Sequence, residues 1–87
     1  MIALPATVTM GNAYATLAAL GTAIAQAQSP ELDAATLQDL DSAALAVLLE
    51  CRRIAAAAGK PLAIHGVPPK LAALARLYGI EGLLAFD

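Results

Sequence analysis

The chain has 87 residues, 60% of them hydrophobic and only 3% aromatic, with a net charge of −2. That supplies one small domain, residues 1–87, held by apolar packing. One cysteine (Cys51) and one histidine (His65) exclude a disulfide framework and a clustered metal site. The charges segregate: residues 31–50 hold Glu31, Asp33, Asp39, Asp41 and Glu50 without a base, and residues 52–76 hold Arg52, Arg53, Lys60, Lys70 and Arg76 without an acid. With Tyr14, Tyr78 and Phe86 as the only aromatics, this is no basic, stacking surface for nucleic acid.

Residues 2–8 read as a strand, irregular or at an edge because Pro5 has no amide to donate. A helix is expected over residues 10–28, with Ala13, Leu17, Leu20 and Ile24 on one face. The first 27 residues resemble a secretion signal ending in Ala-x-Ala, but the first basic residue of the chain is Arg52. The apolar run over 13–27 is also shorter than the ~20 residues that span a bilayer. The segment is therefore read as part of the fold, and the chain as cytoplasmic.

Ser29-Pro30 stops this helix, and residues 31–40 read as a strand followed by a turn. A second helix is expected over 42–58, capped by either Asp41 or Ser42, since a short side-chain oxygen can accept from the free amides of a first turn. Gly59-Lys60-Pro61 ends it. Residues 62–65 read as a strand and residues 70–78 as a helix with Leu71, Leu74 and Tyr78 on one side. Gly79 is expected in a left-handed stop, with Ile80 packing back on the last turn. Residues 83–86 fit a strand or a turn. Strand–helix–strand over 32–65 is a βαβ unit with parallel strands and a right-handed crossover, so the fold class is α/β.

Catalytic patterns are missing. No glycine-rich phosphate loop, Gly-x-Ser-x-Gly or Ser-x-x-Lys occurs, and no cofactor is implied. His65, at a strand end, reads as structural or solvated. Asp33, Asp39 and Asp41 could in principle share acid–base work or hold a cation. Strand-end and cap roles explain them more simply.

The helix over 42–58 carries two apolar stripes. Ala44, Val47, Leu48, Cys51, Ala55 and Ala58 fall within about 100° of arc, an ordinary core face. Leu45, Leu49 and Ala56 fall elsewhere, in line with Ser42 and flanked by Arg52 and Arg53. Ser42, Leu45, Leu49 and Arg53 span about 80°. Two explanations stand: a neighbouring helix over 70–78 covers the leucines, or this side docks a partner protein.

The segment Asp33-Ala-Ala-Thr-Leu-Gln-Asp-Leu-Asp-Ser-Ala-Ala-Leu resembles the STAS signature, in which a strand ending in Asp-Leu leads to Asp-Ser/Thr-x-Gly-Leu at a helix start. Asp33 and Ala34 match the strand end; Asp41, Ser42 and Leu45 match the helix opening. Residues 59–80 are similar to the family's later strand, loop and last helix, closest to the MlaB-like branch of cytoplasmic accessory subunits of bacterial phospholipid ABC transporters. The likeness covers about residues 31–82; the N-terminal third follows it only in element order. It implies an anti-sigma-factor-antagonist-like fold, a small mixed sheet covered by helices, with no enzymatic activity.

The resemblance further implies that Ser42 meets an ABC transporter ATPase subunit, with the membrane reached only through that complex; joined to the helix geometry, this makes Asp41, Ser42, Ala43, Leu45, Leu49 and Arg53 the expected partner interface. The alternative it implies is an antagonist that sequesters an anti-sigma factor. Two positions depart from the pattern. Ala44 replaces the usual Gly, and Ala43 replaces the second Ser that takes the phosphate in antagonists.

Overall fold

Pro5 breaks the N-terminal strand in two. The computed structural model, which describes residues 1–86, places β1 at Ile2–Ala3 and β2 at Thr7–Val8. The next strand is broken in the same place, into β3 at Glu31–Asp33 and β4 at Asp39–Leu40. β1 pairs with β3, Ile2 opposite Leu32, and β2 pairs with β4, Val8 opposite Leu40. β5, Ala63–His65, lies on the other side of β3, which gives a three-stranded sheet β1-β3-β5 and a two-stranded sheet β2-β4.

All these pairings are parallel, where a mixed sheet was expected. The reason is connectivity: a helix lies in the chain between the members of every pair, and such crossovers return strands in the same direction. β4 is a second difference, since residues 31–40 were expected to end in a turn. The turn instead sits at 34–38 and is stitched to the N-terminal segment. Thr36 Oγ1 donates to the Leu4 carbonyl at 2.6 Å, and the Ala6 carbonyl accepts from the amides of Gln38 at 2.8 Å and Asp39 at 2.9 Å.

Three helices follow the expected order, and a fourth, of a single turn, comes after them. α1 spans Ala13–Gln26, α2 Ser42–Ala57, α3 Pro69–Leu77 and α4 Glu81–Leu84. α1 begins three residues later than the periodicity suggests, because Asn12 turns its side chain back into the preceding loop. Its Oδ1 accepts from the Thr9 amide at 2.9 Å and its Nδ2 donates to the Thr7 carbonyl at 2.7 Å. α2 and α3 both stop on glycines in the left-handed region, Gly59 at φ 69° and Gly79 at φ 70°. The amides that follow fold back five residues, Lys60 to the Ala55 carbonyl at 2.9 Å and Ile80 to the Ala75 carbonyl at 3.0 Å.

The core forms where the sheet meets these helices. Leu32 and Ile64 stand opposite each other on β3 and β5 and are fully buried, together with Ile24, Leu48, Cys51 and Leu71. Alternate strand residues Glu31, Asp33, Ala63 and His65 point to the other face. Inward positions differ from the sequence reading at two helix ends. Ala58 is exposed, and Tyr78 is 56% exposed while Ala75 fills the inward position with Leu71. Leu83 and Leu84 belong to α4, so residues 83–86 are neither a strand nor a simple turn.

Cys51 is inaccessible, and burial, aided by the negative charge of Glu50, pushes its thiol up to about 11. The thiol therefore stays protonated at pH 8, and the folded chain offers almost no thiolate to react. Ellman's reagent at pH 8 should label Cys51 only as fast as the chain unfolds. Labelling of folded protein as fast as in urea would contradict this burial.

Candidate functional site

α2 begins at Asp41, which is extended at φ −132° and ψ −168° and caps the helix. Its Oδ1 accepts from the Ala43 amide at 2.8 Å, and its Oδ2 accepts from the Met10 amide at 3.1 Å. One carboxylate thus ties the start of α2 to the turn that leads into α1. The open choice between two caps is settled for Asp41, and Ser42 stands exposed at the first helical position.

The residues singled out in the sequence do not all share one face. Ser42 and Arg53 are exposed, and Leu49 is half-buried against the core. Leu45 is only 3% exposed and Ala43 only 8%. The separation of Leu45 from the core stripe is therefore corrected: it belongs to the core, on the side of α2 that meets the end of α3. Buried positions near the start of α2 run from Ala43 through Val47, Ala44 and Leu48 to Leu45, about 200° of arc. The outward ridge that remains is Ser42, Ala46, Leu49 and Arg53.

Two shallow grooves flank this ridge, and Ser42 and Ala46 line both. The first, of about 500 Å³, is lined on its far side by Met10, Ala13, Tyr14 and Leu17 at the start of α1. The second, of about 300 Å³, is lined by Leu45, Leu49, Tyr78 and Ile80. Met10 is 79% exposed and Tyr14 90%. Neither residue was assigned to a site from the sequence. Their signal was an aromatic standing off the Leu17–Leu20–Ile24 face in a segment without charge. No charged residue occurs before Glu31, so the outer side of α1, with Tyr14, Ala15, Ala18, Ala19, Thr22 and Ala25 exposed, is formally neutral.

Among the described residues, the one charged pair on the ridge is Arg53 with Glu50, three residues apart on α2, with Arg53 Nε donating to Glu50 Oε1 at 2.8 Å. The hydrogen bond holds the Glu50 carboxyl below its ordinary value and the guanidinium above its own. Both groups face water, so the pair orients Arg53 more than it stabilises the fold.

The three aspartates that might have shared acid–base work are each engaged separately. Asp33 Oδ1 accepts from the Ala35 amide at 2.9 Å, Asp39 accepts from Thr7 Oγ1 at 3.4 Å, and Asp41 caps α2. His65 Nε2 lies 2.9 Å from Glu31 Oε1 on the outer face of the sheet. Among the described residues, no three His, Cys, Asp or Glu side chains are grouped to hold a metal ion, and no helix is long and apolar enough to cross a membrane.

A family model described as Mlab, STAS domain matches residues 1–85. The chain belongs to the STAS family, in its MlaB-like branch. The match reaches into the N-terminal third, where the sequence showed only the element order. STAS domains are protein-interaction modules and are generally non-catalytic. No curated protein matches the chain.

Two pairs of substitutions test the local architecture. Asp41→Ala should lose about 1–2 kcal/mol, the upper part of the usual capping range, because the Met10 amide loses its acceptor too. Asp41→Asn, which keeps one acceptor oxygen, should lose less. Leu45→Ala should lose about 2–4 kcal/mol, as a core leucine does, and Leu49→Ala clearly less. Urea denaturation of the four variants measures both contrasts. Equal losses at 45 and 49 would return both leucines to one environment.

Proposed function

We propose that this domain is a non-enzymatic accessory subunit that docks on the cytoplasmic ATPase of an ABC-type phospholipid transport system. The observation that carries the reading is the exposed Ser42 at the start of the α2 ridge, between two largely apolar grooves. In the MlaB-like branch the resemblance assigns the matching Ser/Thr to the ATPase contact. Here Asp41 has taken over the capping, so the Ser42 hydroxyl is left for another molecule.

The interface would comprise Ser42, Ala46, Leu49 and Arg53, with Met10 and Tyr14 beside them and Asp41 and Ala43 supporting from beneath. Met10, Tyr14 and Leu49 would supply the apolar burial, on the order of 1.5–3 kcal/mol for each side chain fully covered. The chain would be cytoplasmic and meet the membrane only through its complex.

The antagonist reading needs a serine at position 43 to take the phosphate. Alanine stands there, and it is 8% exposed, on the inward side of the helix start. That supports the transporter reading over partner switching.

Titration calorimetry against the purified ATPase subunit of the source organism's phospholipid transporter tests this. The unmodified domain should bind, and Ser42→Glu and Ala46→Glu should each weaken binding at least ~100-fold, the scale of an interface hot spot. Both positions are exposed, so circular dichroism and the melting midpoint should stay near the parent values. No binding to the ATPase, with tight binding to a histidine-kinase-like anti-sigma factor, would replace the reading by its alternative. Full affinity in both variants would move the interface elsewhere.

A further inference from the structure

α4 is a helix too short to hold itself. It has four residues, Gly82 among them, and it ends on Ala85 in the left-handed region at φ 48°. A single turn fixes many dihedral angles for few hydrogen bonds and does not persist alone in water. A left-handed alanine adds steric cost. Its position therefore depends on what it touches, and two contacts stand out. Leu84 is fully buried in the core, and the guanidinium of Arg52 grips the backbone around it.

The Arg52 contacts are specific. Nε donates to the Leu84 carbonyl, Nη2 to the Ala85 carbonyl at 2.9 Å, and Nη1 to the Leu62 carbonyl, just before β5, at 2.9 Å. No described carboxylate pairs with it. Two of the three acceptors lie at the C-terminal end of α4, where intrahelical donors run out and a cation is favoured. The flat fork of a guanidinium suits three carbonyls in a way an ammonium does not. Neighbouring arginines are thus divided: Arg53 reaches outward to Glu50, and Arg52 turns to the end of the chain.

We infer that α4 is a strap that opens and closes as a unit separate from the rest of the fold, and that Arg52 sets its closed position. Opening lifts Leu84 out of its seat against α2 and α3 and frees the Arg52 fork.

Native-state hydrogen exchange on the whole chain tests this. The readout is the amides of Leu83, Leu84 and Ala85, which donate to Ile80, Ile80 and Glu81 carbonyls, against the α2 amides of Leu48 and Cys51. In the unmodified chain the strap amides should exchange at least ~100-fold faster than the α2 amides and respond little to low urea, as in a local opening. Arg52→Met should speed the strap amides a further ~10-fold or more while leaving the α2 amides far less changed, and Arg52→Lys should fall between. Strap and α2 amides with the same rate and urea dependence in the unmodified chain would overturn the inference, even if Arg52→Met does not fold. Equal acceleration of both sets by Arg52→Met would overturn the role of Arg52.

Discussion

The arrangement at the start of α2 depends on one carboxylate. Asp41 gives one oxygen to the first turn of its own helix and the other to the Met10 amide, thirty-one residues away in the chain. A cap normally satisfies a local shortage of acceptors. Here the same group also fixes the spacing between the starts of two helices. The Met10 end of the groove is tied to the start of α2 by it, and Ser42 is free of capping because Asp41 does that work.

How far this was readable from the sequence differs from element to element. The stops of α2 and α3 were legible, since only glycine enters the left-handed region without cost and Gly59 and Gly79 both do so. The βαβ unit was legible from alternating periodicities. The strands were not, in detail. Two-residue strands such as Asp39–Leu40 have no periodicity to read; they exist because Ala6 offers a carbonyl to the amides of Gln38 and Asp39. Pro5 did announce an irregular or edge strand, and β1 lies at a sheet edge. It did not announce that the partner strand would break opposite it.

The site was half legible. Periodicity placed Ser42, Leu49 and Arg53 away from the core, and they do face outward or stand half-covered. It placed Leu45 there too, because a helical wheel knows only its own axis. The covering of Leu45 comes from the end of α3, more than thirty residues on, where Tyr78 and Ile80 share its groove. Met10 and Tyr14 were missed for the converse reason: their importance comes from a helix later in the chain. The Arg52 fork is likewise invisible in a sequence, since its acceptors are backbone carbonyls that any residue supplies.

The neutral outer side of α1 has a consequence for kinetics. Long-range attraction speeds encounter between charged surfaces and fades as salt screens it. A protein approaching over the first turns of α1, away from the Lys60 ammonium bound at the Ile24 and Ala25 carbonyls, meets no such field from this helix. Without steering, association rates for oriented patches sit near 10⁵–10⁶ M⁻¹s⁻¹ and change little with ionic strength. A complex formed over this side therefore draws its strength from a slow departure, set by how well Tyr14, Met10 and the alanines are covered, and not from a fast arrival.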